Sequence, residues 1–148
     1  MNSHLTDEHR RLEQLAGRWT GVETVVDMGQ TSSVVTARLG LEGLYLISDY
    51  EQHVDGAVVF RGHGVYGWSA TQQRYTMNWF DTAGETPPAF GVWQEQQLVF
   101  DNQRERARAR YVYTITAADS YTLRIEQAPD GSRWRTFLDG TYTRVAAH

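Results

Sequence analysis

The sequence predicts a mainly β protein: a single closed antiparallel up-and-down β-barrel of about ten strands with a short N-terminal helix. Three observations predict this. Apolar–polar alternation recurs in short segments roughly 8–12 residues apart, each bounded by turn residues. A helical period is sustained only in residues 5–16, LTDEHRRLEQLA. The length of 148 residues suits one domain, and 41% hydrophobic with 22% charged residues is a globular composition. One domain is therefore expected over 1–148.

In the helix, Leu5, Leu12, Leu15 and Ala16 fall near one face, Thr6 or Asp7 can cap the start, and Gly17 can end it. The expected strands are Trp19–Asp27, Val34–Leu41, Leu44–His53, Val58–Ser69 and Tyr75–Asp81 in the first half. Ala89–Gln94, Gln97–Asp101, Ala109–Thr116, Tyr121–Gln127 and Trp134–Thr143 follow. Turn chemistry separates them at Met28-Gly29, Asp55-Gly56, Ala83-Gly84 before Pro87-Pro88, and Pro129-Asp130-Gly131. Successive hairpins without a crossover helix give a meander, and closing it removes two exposed edges. The first strand then pairs with the last.

Composition excludes several chemistries. Five Trp and eight Tyr suit a sheet, where flat rings pack on pleated surfaces. Cysteine is absent, which removes disulfides, thiolate catalysis and Cys-ligated metals. Lysine is absent too, so no Schiff-base or P-loop lysine exists. A net charge of −4 argues against nucleic acid. No apolar run is long enough for a membrane span, and residues 1–20 hold no apolar signal core, so a cytoplasmic location is expected.

The segment LAGRWTG at 15–21 resembles the opening of lipocalin-like (calycin) barrels, a short helix followed by Gly-x-Trp. More narrowly, the chain resembles an uncharacterised bacterial family, domain of unknown function 1579. HRRLEQLAGRWTG at 9–21, GLYLISDY at 43–50, FRGHGVYGW at 60–68, WFD at 79–81 and Asp130-Gly131 carry the likeness. Ser69 departs from it, standing where Asp follows the Gly–aromatic pair. The resemblance implies a fold and no known reaction. It also implies that Trp19 plugs the closed end and that Arg144 packs over its indole, a contact worth roughly 0.5–2 kcal/mol.

Candidate site residues follow from strand alternation. Phe60, Gly62, Gly64, Tyr66 and Trp68 share one face, and Arg61, His63, Val65 and Gly67 the other. Gly62 and Gly64 mark either a bend or the floor of a cavity. Tyr50, Tyr66, Trp68, Trp79 and Trp93 either line an apolar pocket with polar tips or pack as core. The expected ligand-lining set is Tyr50, His63, Tyr66, Trp79 and Trp93.

Arg104, Arg106, Arg108 and Arg110 recur with period two, which places them on one strand face; they form either a solvated outer face or a bend, paired with acids on a neighbouring strand, or an anion patch near the barrel mouth. Fatty-acid-binding barrels carry Arg-x-Tyr on the last strand, whereas Tyr142-Thr-Arg144 has the reverse order. Haem-binding nitrobindins share a similar start, but that resemblance puts Asp139 where their axial His stands, a poor substitute on haem iron. His53 and His63 with Asp49, Asp81 or Glu23 have no metal-ligand spacing, and His148 is terminal. No catalytic residue, metal or cofactor is assigned.

Three functions remain. The first is a binding module holding a small hydrophobic or amphipathic molecule in the barrel cavity. The second is an enzyme using that cavity, with His63 and Asp49 or Asp81 as acid and base. The third is a filled barrel whose outer face pairs with a partner or with itself as a homodimer.

Overall fold

The computed structural model describes residues 3–146. Helix α1 (Asp7–Arg11) runs into a 3-10 turn at Leu12–Leu15. The expected continuous helix over 5–16 is thus shorter and tightens in its second half. Thr6 caps it: its backbone N–H donates to His9 Nδ1 at 3.0 Å. Gly17 follows at φ 127° and starts the first strand, and a side chain there would collide with the Arg144 guanidinium.

Eleven strands follow: β1 (Gly17–Val25), β2 (Gly29–Gly40), β3 (Tyr45–Val54), β4 (Ala57–Ser69), β5 (Arg74–Asp81) and β6 (Gly84–Glu85). Then come β7 (Ala89–Gln94), β8 (Gln97–Asp101), β9 (Arg108–Ala117), β10 (Ser120–Ala128) and β11 (Arg135–Arg144). Ten of them form a closed antiparallel barrel. β1 pairs with β11 from Trp19↔Arg144 to Val25↔Leu138, and β4 pairs with β5. β6 is a two-residue spur on the end of β5, which otherwise pairs with β7 through Tyr75–Met77.

All ten expected strands are present in order. β2 begins five residues before the expected Val34, because Thr31 and Ser33 are buried inward-facing polar residues that break the apolar signal. The expected arginine face is half wrong. Arg108 and Arg110 lie on β9, but Arg104 and Arg106 sit in the exposed β8–β9 loop. That loop is turned by positive φ at Gln103 and Ala107 and tied by Asn102, whose amide donates to the Ala107 carbonyl at 3.0 Å. At the family position occupied by Ser69, the hydroxyl accepts from the Gln72 backbone N–H at 3.1 Å and organises the β4–β5 turn.

α1 covers one end of the barrel. Leu12, Trp19, Tyr75, Met77, Leu98 and Phe100 are each no more than 1% exposed beneath it. The Tyr75 hydroxyl donates to the Glu8 carbonyl at 2.7 Å, tying helix to barrel. Trp19 Nε1 donates to the Leu15 carbonyl at 3.1 Å. Arg144 lies 4.2 Å from the centroid of the Trp19 ring, donates to the Ala16 carbonyl and pairs with Asp119 at 3.0 Å. The closed-end plug expected from Gly-x-Trp is therefore present. Among the described residues no helix is long and apolar enough to cross a membrane.

Candidate functional site: a cavity at the open end

At the other end the barrel is not filled. A cavity of about 450 Å³ extends inward from the hairpins opposite α1. Its walls include Val35, Leu46, Phe60, Met77, Trp79, Tyr111, Leu123, Ile125 and Phe137. Strand alternation explains the lining: on β3, Leu46, Ser48, Tyr50 and Gln52 point inward, and on β5, Tyr75, Met77, Trp79 and Asp81 do.

Trp79 forms one wall because of the glycines opposite it. Its partner across the ladder is Gly64, and a Cβ at Gly62 or Gly64 would run into the indole. The two glycines are thus a seat for a tryptophan rather than an open floor. Trp79 Nε1 donates to Asp81 Oδ2 at 2.9 Å, and the Ala83 backbone N–H donates to Oδ1 at 2.8 Å. The Tyr50 ring meets Trp79 and Phe60 edge-on at centroid distances of 6.2 and 6.1 Å.

Deeper in the barrel lies a polar cluster. Glu23 is 1% exposed. Its Oε2 accepts from the hydroxyls of Tyr142 at 2.6 Å and Tyr50 at 2.7 Å, and its Oε1 accepts from Thr31 at 3.0 Å. Gln52 Nε2 donates to the Tyr50 oxygen at 3.0 Å. Three O–H donors replace the water that a buried carboxylate loses. Burial, followed by the Glu23 charge, holds the Tyr50 and Tyr142 hydroxyls above their ordinary value, so both stay protonated donors.

Tyr66 and Tyr113 share a hydroxyl–hydroxyl hydrogen bond of 2.8 Å, and burial pushes Tyr66 up to about 12. Tyr121 stacks on Tyr142 at 4.8 Å. The hydroxyls of Tyr111 and Tyr121 have no hydrogen-bond partner among the described residues.

Family membership is decided by a match of the family model to residues 4–144. The chain belongs to the family described as protein of unknown function, DUF1579. No curated protein matches it. Solved structures that share the fold include the following two. Rv2717c from M. tuberculosis has a TM-score of 0.79 and 13% identity, over 96% of this chain and 99% of that one. The S-type phycobiliprotein lyase CPES from Guillardia theta has a TM-score of 0.71 and 11% identity, over 98% and 96%.

In this DUF1579 barrel three of the five expected lining residues, Tyr50, Tyr66 and Trp79, meet around the cavity. His63 does not. It pairs across the ladder with Asp49 on the outer face, where Nδ1 lies 2.7 Å from Asp49 Oδ1 and both side chains are well exposed. Its position three residues from inward-facing Tyr66 puts it on the opposite face of β4. An acid–base pair of His63 and Asp49 therefore lies outside the cavity. Trp93 is also displaced: it packs against the closed-end core with the Arg11 guanidinium 5.5 Å above its ring.

His53 Nε2 lies 3.7 Å from Glu51, and the described residues contain no group of three metal-ligating side chains. Asp139 is exposed and lies 3.7 Å from Arg124, so the position aligned with a haem ligand faces away from the interior. Arg108 and Arg110 pair with Asp101 at 2.8 Å and Glu126 at 3.1 Å, with the Trp134 ring beneath both guanidinium groups. They form a paired outer face. His148 lies outside the described residues.

Glu23 is the residue whose importance is hardest to see in sequence. The signal was parity: it stands four residues from Trp19 on the same strand, which turns both inward.

Proposed function

We propose that this protein binds one small molecule, an apolar body with a single hydrogen-bonding end, in the open end of its barrel. The observation that carries the reading is the cavity itself, about 450 Å³ with apolar and aromatic walls and a few polar groups. That size falls in the range of roughly 300–1,000 Å³ usual for small-molecule sites. Tyr50, Tyr66 and Trp79 are assigned as ligand contacts, together with Tyr111 and Tyr121, whose hydroxyls are available to a ligand. The fold shared with a phycobiliprotein lyase is compatible with a barrel that handles a small molecule.

The test is titration with N-phenyl-1-naphthylamine, a neutral dye that brightens in apolar sites. One saturable site is expected. Ala109 lines the cavity on β9. Ala109→Trp fills that space and is expected to abolish saturation while the circular dichroism spectrum stays that of the wild type. Saturation that survives in A109W places the dye elsewhere and overturns the assignment.

A further inference from the structure

We infer that the ligand is an amphipathic organic cation, an apolar body bearing one amine or quaternary ammonium, with its charged end held at Asp81. The inference rests on the cavity reading above and adds the sign of the charge.

Asp81 is the single charged side chain among the described residues that line the cavity; no arginine and no histidine reaches it, and the chain has no lysine. An organic anion entering this space would meet a carboxylate and no counter-charge on the cavity wall; Arg61, which shares an outer pocket with Asp81, pairs with Glu51 at 3.3 Å. Behind the tyrosine wall Glu23 has hydroxyl partners and no ion pair among the described residues, so the interior adds no counter-charge for an anion.

Asp81 also has capacity left. A carboxylate offers about four acceptor positions. Trp79 Nε1 and the Ala83 N–H occupy one on each oxygen and fix the group in place. Aromatic rings stand beside it: Trp79 is its hydrogen-bond donor, Tyr50 meets Trp79 and Phe60 meets Tyr50, and burial, with help from the Asp81 charge, holds the Tyr111 hydroxyl above its ordinary value. A carboxylate beside several aromatic rings is the combination that recognises ammonium groups.

The rim does not reverse the sign. Arg104, Arg106, Arg133 and Arg135 in the mouth hairpins are matched by Asp27, Asp55, Glu105 and Asp130.

The experiment is isothermal titration calorimetry of the whole protein with decyltrimethylammonium, 1-decanol and decanoate, each below its critical micelle concentration. The ammonium is expected to bind about tenfold more tightly than the alcohol, and decanoate more weakly than both. In Asp81→Asn the ammonium-to-alcohol ratio is expected to fall to about one, whereas the exposed-turn control Asp130→Asn keeps it. Decanoate binding as tightly as the ammonium overturns the inference, as does an unchanged ratio in D81N. Decanol binding with no advantage for the ammonium removes the charge assignment and leaves the cavity reading standing. If none of the three binds to folded protein, the cavity reading fails and this inference with it.

Discussion

The two ends of the barrel are made from the same alternating strands yet finish in opposite states. At the closed end Trp19, Tyr75, Phe100 and Leu98 are fully packed under α1. At the open end Phe60, Trp79, Tyr111 and Phe137 surround a cavity. Alternation decides only which side chains point inward. What they touch depends on a cover, and α1 is held over one end by the Tyr75 and Arg144 hydrogen bonds. Between the two ends lies the Glu23 cluster, a polar layer in which hydroxyls alone satisfy the carboxylate. Stability and binding should therefore be separable by position along the barrel axis.

The largest effect is expected from Trp19→Ala. Removing a 1%-exposed indole should cost about 3–5 kcal/mol in chemical denaturation, while protein that remains folded still binds the neutral dye. A loss below about 1 kcal/mol would show that the closed end is not the packed half. Next is Glu23→Leu, which leaves the Tyr50, Tyr142 and Thr31 hydroxyls without their acceptor. A cost of about 2–3 kcal/mol is expected, with Glu23→Gln milder because it keeps an acceptor oxygen. Equal losses in the two variants would mean that volume, not hydrogen bonding, matters there.

Gly62→Ala attacks the open end by pushing a methyl into the Trp79 ring. It should cost about 1–3 kcal/mol and weaken dye binding by displacing a wall. Stability lost with dye affinity intact would separate Trp79 from the cavity.

A pH effect belongs to the closed end. Burial, with help from the Arg10 charge, holds the His9 imidazole below its ordinary value of 6.5. The unfolded chain then takes up the proton more readily than the folded one. The His9 contribution is complete above 6.5 and is lost as pH falls from there toward the lower folded value. The melting temperature should drop over that window, and His9→Gln should flatten the drop. The smallest effect is expected for His63→Phe: on an exposed outer face, it should change stability by less than about 0.5 kcal/mol and leave dye affinity unchanged.

The strands were legible because inward apolar and outward polar residues alternate along most of them. The first half of β2 was not, since Thr31 faces the Glu23 carboxylate and so reads as loop. Arg104 and Arg106 continue a period of two into a loop, and only the positive φ at Gln103 and Ala107 separates pattern from strand. His63 could have been excluded by parity, because a regular strand cannot turn both His63 and Tyr66 inward. Trp93 could not: it does pack toward the core, but the helix end takes it, and no residue pattern tells which end of a strand is covered. The cavity itself is a sum over many side chains and leaves no local mark.

The central claim is that the open end holds a small molecule. Native mass spectrometry of protein purified from its own host, set against the denatured mass, tests it most directly. A retained adduct of defined mass that disappears in Ala109→Trp is the predicted result. An unliganded mass for the wild type, together with no saturable dye binding, would contradict it.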